Sequence, residues 1–357
     1  MQEVRREISE PPLVTSYQAL LQNNDLHSSS LKNENLSVQE IDLPLIDLCN
    51  LQSENRENSR LCAKEIVGAA SDWGFFQVLN HGISLELLEK IKREQVKLFR
   101  LPFEKKVSSG VLNDSYRWGN PTATSASQFS WSEAFHVPLE KISDEDCNYG
   151  EFSSLREIMK KLAMAMSSLA QTIADILAQN LGYTCHDFPQ NCDERTCFLR
   201  LNRYPPCPFS WPETGGGASG LISHTDSDYL TILHQDQVGG LQVMKDSRWV
   251  SVRPNRNALI VNIGDLFQAW SNDVYKSVEH RVIANAKRER FSFAYFLCPS
   301  YQSTVGAYAQ PSRYRSFTFG EFREQVQDDV KRIGRKVGLP RFLMDHAEQH
   351  IHKQIDF

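Results

Sequence analysis

Gly220-Leu-Ile-Ser-His-Thr-Asp-Ser-Asp-Tyr-Leu-Thr-Ile-Leu233 decides how the chain is read. Its apolar residues Leu221, Ile222, Leu230, Ile232 and Leu233, with Thr and Tyr between them, predict a β-strand. Side chains two apart on a strand share a face, so His224 and Asp226 are expected to point the same way. An imidazole and a carboxylate on one face supply two ligands of a metal site. A third follows 54 residues after Asp226, where His280 stands in Tyr275-Lys-Ser-Val-Glu-His-Arg-Val282.

Two His and one carboxylate grip one face of a metal and leave the opposite positions open, the arrangement that suits non-haem Fe(II) oxygenases. H-x-D alone is common by chance. Arg290-Phe-Ser292 raises its weight, because a strand puts Arg290 and Ser292 on one face. A guanidinium fork beside a hydroxyl binds a carboxylate in a fixed orientation. Triad and clamp together point to an iron enzyme whose co-substrate is a dicarboxylate. A buried trio without metal is the bland alternative, but burying an ionised carboxylate with no cation is costly. A zinc hydrolase on the same ligands leaves Arg290 and Ser292 unexplained.

With Asn202-Arg-Tyr-Pro-Pro-Cys207 upstream, these motifs in this order resemble the plant 2-oxoglutarate- and Fe(II)-dependent dioxygenase family. The resemblance covers about residues 41–340. It implies a mainly β fold with flanking helices: a double-stranded β-helix (jelly roll) core with an α/β N-terminal region. It also implies Fe(II), 2-oxoglutarate and O2, with ascorbate as reductant. It assigns His224, Asp226 and His280 to the metal, and Arg290 and Ser292 to the distal carboxylate of 2-oxoglutarate. Asn202 and Tyr204 would orient that co-substrate. Arg203 departs from the commoner family pattern, which has Tyr there.

Tyr116-Arg-Trp-Gly-Asn-Pro-Thr-Ala-Thr-Ser125, Ser130-Trp-Ser-Glu-Ala-Phe-His-Val-Pro-Leu139 and Asn272-Asp-Val-Tyr-Lys-Ser-Val-Glu-His-Arg281 are similar to gibberellin 2-beta-dioxygenases of the C20-gibberellin subclass. That implies 2β-hydroxylation, and so inactivation, of a precursor such as GA12 or GA53. Such a substrate is an apolar diterpenoid acid with two carboxylates. Its pocket needs aromatic walls and a cation, and the candidates by residue type are Arg117 and Trp118, then Tyr116 and Phe135. The rival readings are a gibberellin 20- or 3-oxidase, a dioxygenase of specialised metabolism, or a non-catalytic hormone-binding protein on the same fold.

The totals agree with a soluble enzyme. The 357 residues can bury a large core, and 41% hydrophobic with 23% charged residues is ordinary. A net charge of −5 argues against a nucleic-acid surface. No run of 18 apolar residues spans a membrane, and Met-Gln-Glu-Val-Arg-Arg-Glu has no apolar signal region, so a cytoplasmic address is expected. No obligate protein partner is inferred. The eight cysteines are scattered and read as free thiols. Cys185, His186, Cys192 and Cys197 fit no common zinc spacing.

Along the chain, residues 1–40 are polar and read as a flexible arm. Residues 41–150 form the dioxygenase N-terminal region, 151–194 a supporting helix and connection, 195–300 the jelly-roll core and 301–357 a C-terminal helical segment. Ile41–Leu48 reads as one alternating strand. A helix over 54–71 carries Leu61, Ile66, Ala69 and Ala70 inward. An aromatic strand follows over 73–82, and His81 reads as a strand-end histidine bonded to nearby backbone. Ser84 caps a helix with Leu87, Leu88, Ile91, Val96 and Phe99 inward. The longest helix spans 154–180, with Met164 and Met166 as core filler. Short strands dominate from Arg195, interrupted by a Gly-rich insertion over 211–220. A last helix begins at Thr318 with Phe322, Val326, Val330 and Ile333 as its stripe.

Overall fold

The computed structural model describes residues 12–25, 38–108, 112, 115–125, 128–147, 149–183, 192–209 and 218–344. In chain order the elements are α1 (Val14–Asp25), β1 (Glu40–Ile41), β2 (Leu45–Asp47), α2 (Arg56–Asp72), β3 (Phe75–Leu79), α3 (Leu85–Phe99), α4 (Phe103–Val107), β4 (Tyr116–Trp118), β5 (Glu133–Pro138), α5 (Leu139–Ser143) and α6 (Ser153–Asn180). Then follow β6 (Phe198–Tyr204), β7 (Ala218–His224), β8 (Leu230–Gln235), β9 (Leu241–Lys245), β10 (Arg248–Val252), β11 (Leu259–Ile263), α7 (Asp265–Trp270), β12 (His280–Ala284), β13 (Arg290–Leu297), β14 (Thr304–Val305), β15 (Phe317–Thr318) and α8 (Phe319–Ile333).

Two sheets make the core. One has five strands in the order β1-β10-β9-β12-β7, the other eight in the order β2-β3-β11-β8-β13-β6-β5-β4. The mainly β architecture with flanking helices is therefore as expected, and the two sheets do not close into a barrel.

Strict alternation along the central strands gives the large sheet two different faces. On β13, Phe293, Tyr295 and Leu297 join Leu199, Leu201, Leu230 and Ile232 in an apolar layer that also holds α6 residues Met159, Leu162, Met166 and Ile173. The intervening residues Arg290, Ser292, Ala294 and Phe296 face the second sheet across a cavity. A smaller apolar cluster, Phe75, Tyr204, Leu241, Val243, Ile260 and Val282 among them, fills the space between the sheets. Fully burying each such side chain contributes about 1.5–3 kcal/mol.

The caps obey sequence logic. Ser84 accepts the Leu87 N–H at the start of α3. Thr318 and Glu321 close a reciprocal capping box on α8.

Several expectations need correction. The stretch 220–233 is not one strand: β7 ends at His224, β8 begins at Leu230, and the two lie in different sheets. Ile41–Leu48 is likewise split into β1 and β2 in different sheets, with Pro44 between them, where no N–H is available for a ladder. The N-terminal arm contains the docked helix α1. Its Tyr17 is 2% exposed, stacks on Phe129 with ring centroids 3.9 Å apart, and accepts the Asn120 N–H through its hydroxyl. The other residues of the arm that were read as flexible lie largely outside the described residues. Residues 218–220 of the Gly-rich insertion belong to β7, and 211–217 lie outside the described residues. Met164 is exposed, not core filler, whereas Met166 is buried. Leu61, Val330 and Ile333 are exposed at the margins of their apolar stripes.

Candidate active site

His224 and His280 are cross-strand partners at the paired ends of β7 and β12. Each ring is oriented by its own strand. His224 Nδ1 lies 2.8 Å from the Ile222 carbonyl and His280 Nδ1 3.1 Å from the Val278 carbonyl. A carbonyl only accepts, so Nδ1 carries the proton in both rings and Nε2 keeps its lone pair. Both Nε2 atoms face Asp226 Oδ1, at 3.6 and 3.7 Å. Asp226 Oδ2 is turned away and accepts from Thr231 Oγ1 at 2.6 Å and Asn262 Nδ2 at 2.8 Å. Three ligand atoms thus converge, within 4.8 Å of one another. Among the described residues this is the one cluster of three or more His, Cys, Asp or Glu side chains that could hold a metal ion.

Asp226 reaches this place from the loop between β7 and β8, not from a shared strand. Its carbonyl accepts the Asp265 N–H and that of Asp228 accepts the Leu266 N–H, which ties the loop to the start of α7. Gly264 permits the approach: a Cβ there would lie 2.2 Å from the Asp228 carbonyl oxygen. The parity inferred for H-x-D therefore yields the right meeting of side chains through a different backbone.

The electrostatics suit a cation. Burial alone would raise the Asp226 pKa, but His280, His224 and the bonds from Thr231 and Asn262 outweigh it and bring it to about 2. Burial, with His280 adding to it, pushes His224 down to about 3. With Nε2 of both rings facing Asp226 Oδ1, the trio offers two imidazole nitrogens and one carboxylate oxygen, a donor set that fits a divalent metal. Burial and the Asp226 charge raise Asp228 well above the carboxylate range. The Thr231 hydroxyl has one hydrogen yet contacts both Asp226 Oδ2 and Asp228 Oδ2, at 2.6 and 2.8 Å. A proton on Asp228 satisfies both contacts: Asp228 donates to Thr231, which donates to Asp226.

Arg290 is the second centre. It is 1% exposed and donates to Ser292 Oγ at 3.2 Å and Gln235 Oε1 at 2.8 Å. Its guanidinium stands 4.7 Å over the Tyr204 ring. Asn202 Nδ2 lies 3.5 Å from Ser292 Oγ. The buried Arg290 Nε and Gln235 Nε2 donors have no acceptor among the described residues. A buried cation with unspent donors, no ion-pair partner among the described residues and an adjoining hydroxyl fits the carboxylate of a bound dicarboxylic acid. The residues present thus fit both the metal and the co-substrate.

The substrate-wall candidates divide by parity. Cross-strand register places Arg117 beside Ala134, and Ala134 beside Asn202, on the cavity face. Tyr116, Trp118 and Phe135 face the opposite way. Tyr116 donates to Glu133 at 2.7 Å, Phe135 is fully buried against Phe99, and Trp118 stacks edge-on with Trp131. None of these four residues lines the cavity that holds the His-Asp-His cluster. Arg203, the departure from the family pattern, pairs with Glu133 at 2.7 Å and Glu289 at 3.1 Å on that far face.

His81 keeps to its expected place: its Nδ1 accepts the Ile83 N–H. Of the conceivable zinc ligands, Cys185 and His186 lie outside the described residues. Four supporting residues were missed: Thr231, Asn262, Gln235 and Gln95. Gln95 is fully buried on α3 and donates to the carbonyls of Asn202 and Ser292, at 2.9 and 2.8 Å, locking β6 to β13. Its signal was available, since it is a polar residue four positions from both Ile91 and Phe99 on an apolar stripe.

Known proteins share this arrangement. Residues 195–299 match the 2OG-Fe(II) oxygenase superfamily, and residues 43–157 match the N-terminal region of non-haem dioxygenases in morphine synthesis. Gibberellin 2-beta-dioxygenase 6 of Oryza sativa subsp. japonica is 54% identical over 95% of this chain and 98% of its own. The chain belongs to the 2-oxoglutarate- and Fe(II)-dependent dioxygenases. Gibberellin 2-beta-dioxygenase 8 of Arabidopsis thaliana is 53% identical to this dioxygenase over 86% of the chain and 88% of its own. Gibberellin 20 oxidase 1 of the same plant is 35% identical over 88% of the chain and 86% of its own. The crystal structure of JOX2 in complex with 2OG, Fe and JA superposes with a TM-score of 0.72 at 30% identity, covering 92% of the dioxygenase and 97% of JOX2. The dioxygenase thus uses Fe(II) and 2-oxoglutarate. Among its described residues no helix is long and apolar enough to cross a membrane.

Proposed function

We propose that this dioxygenase hydroxylates gibberellins at the 2β position, taking C20 precursors such as GA12 and GA53, and thereby inactivates them. The observation that carries the reading is the gradient of similarity. Relatives named for 2β-hydroxylation reach 53–54% identity across nearly the whole chain, against 35% for a 20-oxidase. The C20 preference rests on the segments 116–125 and 130–139.

In this reading His224, Asp226 and His280 hold the iron through the two Nε2 atoms and Oδ1. Arg290 and Ser292 receive the distal carboxylate of 2-oxoglutarate, while the Tyr204 ring under the guanidinium and Asn202 beside Ser292 fix its direction. Bound iron supplies dioxygen activation, coupled to decarboxylation of 2-oxoglutarate to succinate and CO2, for insertion of one oxygen atom into a C–H bond. The chain's own part is positional. Thr231 and Asn262 keep Asp226 Oδ2 engaged so that Oδ1 faces the imidazoles, and Gln95 holds the strands that carry Asn202 and Ser292. The apolar side chains around the site limit access of water.

A product assay tests this. With Fe(II), 2-oxoglutarate and ascorbate supplied, GA12, GA9 and GA4 are offered separately and products are identified by mass and retention against standards. The expected result is 2β-hydroxylated GA12 with little turnover of the two C19 compounds. Oxidation of GA12 at C-20 instead would move the protein to the 20-oxidases, and succinate without any gibberellin product would discard the substrate.

A further inference from the structure

Four cationic side chains line the cavity beside the His-Asp-His cluster: Arg200, Arg290, Arg323 and Lys336. Two are already engaged. Arg290 belongs to the co-substrate clamp. Lys336 pairs with Asp265 Oδ2 at 2.7 Å and donates to the Thr225 carbonyl and Ser227 Oγ. The other two have no anionic partner among the described residues. Arg200 donates through Nε to the neutral Oδ1 of Asn202 at 2.9 Å. Arg323, on α8, is half-buried and makes no hydrogen bond or ion pair with any described residue.

The cavity's own carboxylates do not balance these charges. Asp226 Oδ1 faces the imidazoles, and its Oδ2 and Asp228 Oδ2 both engage the Thr231 hydroxyl. Arg200 and Arg323 approach a common place from two elements, β6 and α8. After burial itself, Arg200, then Arg323 and then Arg117 oppose protonation of the half-buried His136 imidazole. Arg200 and Arg323 both line the cavity that holds His224, Asp226 and His280, with apolar walls beside them in Phe198, Phe296 and Leu221. Phe198 and Phe296 stack with ring centroids 4.3 Å apart. Two half-buried guanidinium groups without counter-charge, facing an apolar cavity, match a ligand with a carboxylate on a hydrocarbon frame.

We propose that Arg200 and Arg323 together anchor a carboxylate of the apolar substrate, and so select acids over neutral analogues. This anchor replaces Arg117, which shares the sheet face but does not line the cavity. The inference rests on the proposed gibberellin reading for the identity of the acid, but the anchor itself is specific only for a carboxylate on an apolar skeleton. Arg323 comes from α8 and Arg200 from the sheet, so a bound acid also bridges the helix to the sheet.

The test is binding calorimetry on the full chain loaded with redox-silent Mn(II) and 2-oxoglutarate, titrated with GA12 and with its dimethyl ester. Wild type is expected to bind the acid at least about tenfold more tightly than the ester. Arg323→Gln should weaken the acid on the order of 10–100-fold, the range for loss of a charged hydrogen bond, and leave the ester within about twofold. Arg200→Gln should show the same selective loss, and Arg323→Lys should recover much of it. Equal binding of acid and ester by wild type overturns the anchor, as does an equal loss of both in Arg323→Gln. If wild type binds neither form of GA12, the gibberellin reading fails, and dehydroabietic acid with its methyl ester decides the anchor on the same criteria. Failure of that acid to bind overturns the anchor too.

Discussion

Asp226 offers one oxygen to two imidazoles because its other oxygen is already committed to Thr231 and Asn262. The same burial that arranges the cluster depresses histidines across the fold. His136 is pushed down to about 3 by burial, then by Arg200, Arg323 and Arg117, and His234 to about 4 by burial and Lys92. These values lie below the ordinary 6.5 of an unfolded histidine, so the native state refuses protons that the unfolded chain accepts. The stability they confer is complete above about pH 6.5 and is lost as pH falls towards 4 and below, by up to about 1.4 kcal/mol per pH unit for each group. Thermal unfolding of metal-free protein should therefore show Tm falling from pH 7 to pH 5. His136→Gln should make that fall shallower, and an identical slope in the variant would count against the assignment.

Helix α1 shows how a short element can be docked by a few residues, Val14, Tyr17 and Leu20 among them. Tyr17 is buried between Phe129 and Trp131 and accepts the Asn120 N–H. Truncating a buried aromatic costs about 3–5 kcal/mol. Tyr17→Ala should lower stability in denaturant unfolding by about 3 kcal/mol, and Tyr17→Phe by about 1 kcal/mol. No change in Tyr17→Ala would mean that α1 is not docked in solution. This helix was illegible because the composition around it is polar and the few core-facing residues, Leu13, Val14, Tyr17 and Leu20, make too short a run to stand out. Helices α2, α3, α6 and α8 were legible because their apolar residues recur at three and four over many turns. The strand reading of 220–233 failed for a different reason. Apolar residues flank Thr225–Tyr229 on both sides, and local pattern cannot show that the two flanks belong to different sheets.

At the scale of the molecule, two sheets with opposite chemistry on their faces deliver every motif residue to one cavity. His224, Asp226 and His280, Arg290 and Ser292, and Asn202 and Tyr204 were legible because period-2 spacing fixes their side of a strand, and for Asp226 a loop reaches the same end. The supporting residues Thr231, Asn262, Gln235 and Gln95 were not, because a residue that orients another carries no spacing of its own. The residues expected to form the substrate wall do not line the cavity that holds the His-Asp-His cluster, for a related reason. Tyr116, Trp118 and Phe135 have suitable side chains, but register turns them to the helix side, and Arg323 reaches the cavity from a helix more than a hundred residues away in sequence.

The most direct test of the central claim is an anaerobic titration of Fe(II) and then 2-oxoglutarate, followed by the visible charge-transfer absorption of the chelated keto acid. The account predicts that wild type develops the band, that Asp226→Ala does not, and that Arg290→Gln needs on the order of 10–100-fold more 2-oxoglutarate to reach it. A band of full strength in Asp226→Ala, or none in wild type, would contradict the assignment of metal and co-substrate to this cavity.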